Sequence, residues 1–235
     1  MARRKPLTAK QALTELSRPG PHGVRRGDLA LVGLPGTLFT PHAGHGLPAV
    51  AFGHGWLQPP RRYLGLFRHL ASWGVVVAAP ATHRGPLASA RLFAADLRTA
   101  LDVVAGVRLG DGVVGVDKGK LAVGGHGAGA GAAVLAAAED ERVRGVFTVA
   151  ASETRPSAVD AARLCPMPAV HLAAEEDLVS RRSGTPRRSP RAGAGRCRCA
   201  PSPVPTTSAS PRAGTGANCC SAAEARPGHR PSPRR

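Results

Sequence analysis

The chain of 235 residues has no isoleucine, four lysines and only 3% aromatic residues, among them one tyrosine and two tryptophans. Alanine, glycine, arginine, proline and valine dominate instead, the bias of a very GC-rich coding sequence. No apolar run approaches the roughly 18–20 residues of a membrane helix, so no membrane span is expected. The basic start, Met1-Ala2-Arg3-Arg4-Lys5-Pro6, has no apolar stretch behind it. A secretory signal is therefore not visible, and a cytoplasmic location is the expectation. Four of the five cysteines (Cys197, Cys199, Cys219 and Cys220) lie near the C-terminus, which excludes a disulfide framework across the core. Their spacing is not that of a zinc site.

Charge is in excess but uneven. The net +17 comes from the two ends. Residues 1–27 hold 7 basic and 1 acidic side chains, residues 28–180 hold 13 of each, and residues 181–235 hold 12 arginines against Glu224 alone. The middle reads as an ordinary globular domain. A basic excess confined to the ends argues against a folded nucleic-acid-binding module, which carries its basic face on the fold.

The grammar of the middle is an alternation of strands and helices. Thr8 is placed to cap a short helix over residues 9–16, stopped by Pro19-Gly20-Pro21. Apolar runs at 29–32 and 37–39 around Gly33-Leu34-Pro35-Gly36 predict a hairpin. Residues 49–52 predict a buried strand, 63–73 a helix stopped at Gly74, and 75–79 a second strand. A long helix over 88–104 places Leu92, Leu97, Leu101 and Val104 on one side, and Asp117-Lys118-Gly119-Lys120 reads as a turn. Residues 121–123 predict a strand, 130–138 a small-residue helix, and 143–149 and 169–172 two further strands. Unbroken apolar strands alternating with helices indicate a mostly parallel sheet covered on both faces. Residues 28–180 are thus expected to form an α/β domain, with 1–27 a basic N-terminal segment.

Beyond residue 180 the grammar stops. The last 55 residues contain no Leu, Ile, Phe, Tyr, Trp or Met and one Val, beside 9 Pro and 7 Ser. Such a segment buries too little apolar surface to offset chain entropy, so 181–235 is expected to be disordered. Its composition is also that of GC-rich coding sequence read out of frame, which makes a frameshift product our hypothesis for this tail. The coding DNA tests it. If neither alternative frame beyond Ser180 encodes a strand, a helix and a Gly-His loop, the hypothesis fails. Physically, the arginines can neutralise phosphates, but without aromatics for stacking they provide only non-specific contact with nucleic acid or anionic surfaces.

Three motifs carry chemistry. The first is Gly125-His126-Gly127-Ala128-Gly129 between a strand and a helix, a frame that turns the chain sharply and lifts its central residue over the sheet. The second is Phe52-Gly53-His54-Gly55-Trp56 at the end of an earlier strand, and the third is Glu176-Asp177-Leu178-Val179 at the end of a late one. With Leu70-Ala71-Ser72-Trp73-Gly74-Val75 leading into a buried strand, these resemble, in order, the α/β-hydrolase superfamily, closest to its dienelactone hydrolase, chlorophyllase and cutinase-like esterases. The resemblance covers about two-thirds of the chain.

It implies an α/β-hydrolase fold and carboxylic-ester hydrolysis through an acyl-enzyme, acting on a small ester-like ligand with no metal and no organic cofactor. It assigns Gly127 to the nucleophile position of a Gly-x-Ser-x-Gly elbow, the N–H groups of Trp56 and Ala128 to the oxyanion hole, and Asp177 to the acid of the triad. Two departures stand out. Glycine at 127 has no side chain with which to attack a carbonyl. The only histidine after Asp177 is His229, in Arg226-Pro227-Gly228-His229-Arg230-Pro231, with no strand before it. The sheet is expected to lack its last strand and helix, and the chain as written is expected to be a pseudoenzyme.

Competing readings of the same residues are plainer. The glycine turn also suits a dinucleotide site or simple packing, but no Gly-x-Gly-x-x-Gly is in register and no acidic residue follows to hold a ribose. His54 suits a support for its loop better than a base. Cys165, in Leu164-Cys165-Pro166, reads as an incidental thiol, and Ser152 as a loop serine. Two functions outside catalysis remain open: ligand or partner binding in the old pocket, and anion contact by the tail.

Overall fold

The computed structural model describes residues 8–173 and 198–201, all within one compact unit spanning residues 1–204. The first helix, α1 (Ala9–Leu16), starts where its cap predicts. Thr8 Oγ1 accepts from the Gln11 N–H at 3.3 Å, and Gln11 Oε1 accepts from the Thr8 N–H at 3.0 Å. This reciprocal pair satisfies two N–H groups that a helix start leaves open.

The sheet begins at β1 (Val24–Asp28), inside the segment expected to precede the domain. The approach to β1 rests on the end of helix α2 (Leu64–Ser72): the Gly20 N–H donates to Ser72 Oγ at 2.8 Å and the His22 N–H to the Ser72 carbonyl at 3.0 Å. The expected hairpin exists, but between β1 and β2 (Gly36–Pro41). Residues Leu29–Val32, read as one of its strands, form a 3₁₀ turn. The Asp28 carboxylate accepts from the Ala30 N–H at 2.8 Å, and Gly33 takes a left-handed φ of 81°, so this apolar run is wound rather than extended.

Strand β3 (Gly44–Gly53) follows, then α2, β4 (Val76–Pro80), α3 (Ala90–Gly106), β5 (Val114–His126), α4 (Ala128–Ala138), β6 (Val143–Val149), α5 (Ala158–Ala162) and β7 (Ala169–Ala173). The strands lie in the order β1-β2-β4-β3-β5-β6-β7. Strands β4, β3, β5, β6 and β7 are mutually parallel, and β2 runs against both its neighbours. The mostly parallel α/β sheet is therefore present. Asp117-Lys118-Gly119-Lys120, expected as a turn, lies within β5, where the register with β3 shifts between Leu47 and Ala49. The Asp117 carboxylate accepts from the Gly119 N–H at 2.8 Å, so a local Asx bond survives inside an irregular strand.

Four residues of the expected disordered tail are extended: β8 (Arg198–Pro201) pairs antiparallel with β7, Val170 opposite Pro201 and Ala173 opposite Arg198. The rest of the tail lies outside the described residues.

Helices cover both faces. In β3, Ala49 and Ala51 face α3 and α4, while Val50 and Phe52 face α2; in β4, Val76 and Ala78 divide from Val77 and Ala79 in the same way. This two-residue period with both phases apolar is what an unbroken apolar run means in a sheet buried on two sides. Helix α3 buries Phe93, Leu97, Leu101 and Val104. Leu92, expected on that side, is instead exposed, and Phe93 takes its place at the four-residue spacing from Leu97.

A surface cluster holds the far end of α4. Arg142 donates to both oxygens of the buried Asp140 at 2.9 and 2.7 Å and also reaches the Asp102 carboxylate at 2.6 Å. The Arg142 guanidinium holds the Asp140 carboxyl below the usual carboxylate range.

Candidate functional site

Because β3, β4, β5 and β6 are parallel, their C-terminal ends bring four loops to one edge of the sheet, where ligands bind in open α/β sheets. The loop after β5 is a single residue. Gly127 has φ 54° and ψ −121°, and α4 starts at Ala128. Its N–H donates to the Val149 carbonyl at 3.0 Å, and its carbonyl accepts from the N–H groups of Ala130 at 3.1 Å and Ser152 at 3.1 Å. The bend is thus held from β6 and from α4 together.

The glycines around it permit this bend by close approach. A Cβ on Gly129 would stand 2.3 Å from the Gly53 carbonyl, and a Cβ on Gly125 would stand 2.4 Å from the Gly129 oxygen. The loop after β3 therefore lies directly on the backbone of α4. Position 127 differs. A Cβ there would meet only Gly55 Cα at 3.7 Å and Ser152 Oγ at 3.8 Å, both ordinary contacts. The place for a side chain at the bend is open, and only the backbone conformation opposes one.

A cavity of about 240 Å³ opens beside this bend, and Trp56, from the loop after β3, and Ala128, from the start of α4, both line it. Trp56 is half-exposed, and Phe93 and Ala90 of α3 form part of the wall. These are two of the residues the sequence singled out, brought together from positions 72 residues apart in the chain. Asp177 and His229 lie outside the described residues.

His54 is buried in the wall of the cavity, its ring 4.8 Å from that of Phe93. Its Nε2 lies 2.8 Å from the Thr82 carbonyl oxygen and its Nδ1 3.0 Å from that of Gly55. A neutral imidazole carries one N–H, so it donates to one of these carbonyls, that of Thr82 in the loop after β4 or that of Gly55 in its own loop. That is the geometry of a support and not of a base.

Tyr63, the sole tyrosine, was read only as the start of a helix. Its hydroxyl accepts from the Gly55 N–H at 3.0 Å and lies 3.0 Å from His126 Nδ1, to which it is left to donate. One phenol thereby joins the loop after β3 to the residue before the bend. A Cβ on Gly55 would stand 2.5 Å from that imidazole nitrogen, so the tie also requires glycine there. No spacing rule reveals this contact, because its members are brought together only by the parallel register of β3 and β5.

Burial pushes the Tyr63 phenol above its ordinary value, opposed by the Gly55 N–H and by Arg62. A folded value above the unfolded one favours the neutral phenol. Its contribution to stability is whole below the unfolded value of about 10 and is lost as pH rises through the folded one. Absorbance titration near 295 nm reads this group alone. The expected result is a midpoint above that of the urea-unfolded chain, and coincident midpoints would contradict the burial of this phenol.

Elsewhere, His171 of β7 lies 2.7 Å from Thr148 Oγ1 across the sheet, and burial pushes its imidazole down. Cys165 lies outside the cavity. Its half-buried thiol contacts the Ala161 carbonyl at 3.5 Å, and burial pushes its ionisation up, the profile of an inert thiol. No family model matches the chain, and no curated protein matches it.

Proposed function

We propose that this chain is an α/β-hydrolase family protein, by descent a carboxylic-ester hydrolase, whose nucleophile position is occupied by Gly127 and which is inactive as written. The observation that carries the reading is the bend at Gly127: a positive-φ residue between a buried parallel strand and a helix, open to a side chain, with the loop after β3 resting against it. In a nucleophile elbow the hydroxyl projects from such a bend. The oxyanion donors are the N–H of the next residue and one from the loop after the third strand. Ala128 directly follows the bend, Trp56 lies in the loop after β3, and both line one cavity, which supports this reading. The strand order and the antiparallel β2 support the same reading.

What is missing is the attacking atom. Acyl transfer needs a hydroxyl whose proton passes to a histidine as the new carbon–oxygen bond forms, and glycine supplies neither atom nor proton. Binding and oxyanion donors alone sustain at most about 10³–10⁴-fold over water. The test is turnover of p-nitrophenyl butyrate by the full chain, with a serine-directed fluorophosphonate as covalent probe. The expected result is no burst, no adduct by mass spectrometry, and a rate within that residual range. Saturable turnover abolished stoichiometrically by the phosphonate would overturn the inactive reading.

A further inference from the structure

We infer that His83, set beside the Asp96 carboxylate, is the general base of the cavity next to Gly127: its imidazole takes a proton from water as that water attacks the acyl carbon of a small ester. This rests on the reading of the cavity as an ester site without a nucleophile, and it names the source of the residual rate.

Each of the four loops at this edge of the sheet carries one residue with a left-handed φ. These are Leu57 after β3 at 55°, His83 after β4 at 55°, Gly127 after β5 at 54° and Ala150 after β6 at 48°. Such conformations oppose a side chain, and they persist where packing holds them, above all at functional sites. In the loop after β4 the residue so held is a histidine, and it lines the cavity.

Two imidazoles among the described residues line this cavity, and they are used differently. Both ring nitrogens of His54 face backbone carbonyls. His83 has one nitrogen engaged. Its Nε2 lies 3.3 Å from Asp96 Oδ2, and the two side chains are only 20% and 27% exposed. Its Nδ1 has no hydrogen-bond partner among the described residues. A carboxylate facing Nε2 draws the proton to that nitrogen and leaves Nδ1 its lone pair, the form that accepts a proton. The ring also lies 5.8 Å from that of Phe93. Phe93 and Asp96 stand three residues apart on α3, so one helix positions both the ring and its carboxylate.

The step needs no covalent intermediate. The water oxygen bonds to the acyl carbon as one of its protons passes to Nδ1, and the Asp96 carboxylate stabilises the imidazolium that forms. The carbonyl oxygen takes the electron pair, and on the reading above its charge falls to the N–H groups of Trp56 and Ala128. The carbonyl then re-forms and the carbon–oxygen bond to the alkoxide breaks. The imidazolium returns its proton to that alkoxide or, for a nitrophenolate, to solvent. Ester and water thus give acid and alcohol. At about 240 Å³ the cavity suits a short acyl chain.

The experiment replaces the ring by space. Glycine suits φ 55°, so His83→Gly relaxes the backbone as it removes the base. The full chain is assayed with p-nitrophenyl butyrate, against blanks holding the same imidazole without protein. The expected result is burst-free wild-type turnover, and a kcat about a hundredfold lower in His83→Gly at nearly unchanged KM. Added imidazole should revive His83→Gly saturably and leave the wild type as it is. Asp96→Asn, which keeps the shape and removes the charge behind Nε2, is expected to lower kcat without raising KM. Should His83→Gly unfold, His83→Asn, which also tolerates a left-handed φ, reads the loss in its place.

No wild-type turnover above the blank would overturn the inference. So would a rate that survives the loss of His83, or a folded His83→Gly protein that imidazole does not revive. These outcomes leave the inactive reading standing. A burst with a phosphonate adduct defeats that reading instead, and revival by imidazole then still reports whether His83 is the base.

Discussion

Replacing Gly129 with alanine is expected to destabilise the protein by about 3 kcal/mol or more, a large part of the stability of a domain this size. The added methyl would stand 2.3 Å from both the carbonyl carbon and the oxygen of Gly53, and 2.3 Å from the His54 oxygen. These are backbone atoms of a buried strand end, so no side chain can swing aside, and α4 and β3 must separate. Two comparisons show that the effect is contact and not loss of glycine as such. Gly127→Ala, two residues away, meets only ordinary contacts and bears the backbone penalty of positive φ alone, about 1–3 kcal/mol. Gly65→Ala, on the exposed side of α2 with nothing within 4 Å, is expected to stabilise by about 0.5–1 kcal/mol through helix propensity and unfolded-state entropy. Urea denaturation of the three variants checks the order. If Gly129→Ala matches Gly127→Ala, the close packing of α4 on the loop after β3 is wrong.

Phe52→Ala is expected to cost about 3–5 kcal/mol. With so few aromatics in the chain, their grouping matters. Phe52 is 1% exposed, and its ring lies 5.0 Å from that of Tyr63, 5.2 Å from Phe67 and 5.9 Å from Phe147. Truncation would leave a cavity between β3, β6 and α2 that alanine and valine neighbours cannot fill. It would also loosen Tyr63, whose hydroxyl holds the Gly55 N–H. Two readouts should therefore move together: the denaturation midpoint falls, and the tyrosine titration shifts toward that of the unfolded chain. A stability loss with an unchanged tyrosine midpoint would separate the aromatic cluster from the tie to His126.

Much of this architecture was legible along the chain. The apolar runs at 49–52, 75–79, 143–149 and 169–172 became strands of a parallel sheet with helices on both faces, because side chains alternating between two covered faces must all be apolar. The bend at Gly127 was legible because strand, glycines and small-residue helix occur in immediate succession. The winding of Leu29–Val32 was not, since an apolar tetrapeptide fits either a strand or a turn, and a single carboxylate bond from Asp28 selected the turn. Nor was the burial of Phe93 over Leu92, which depends on the rotation of α3 against the sheet.

The candidate site divides along the same line. Local sequence alone dictated that position 127 carries no side chain, that a Gly-His-Gly segment follows an early strand, and that basic excess belongs to the ends, because each is a property of neighbouring residues. Only the packed fold brought Trp56 and Ala128 to the wall of one cavity and passed Tyr63 between Gly55 and His126. Those pairings join residues tens of positions apart, and their distances are set by parallel register and backbone contact between glycines, quantities that no stretch of sequence carries by itself.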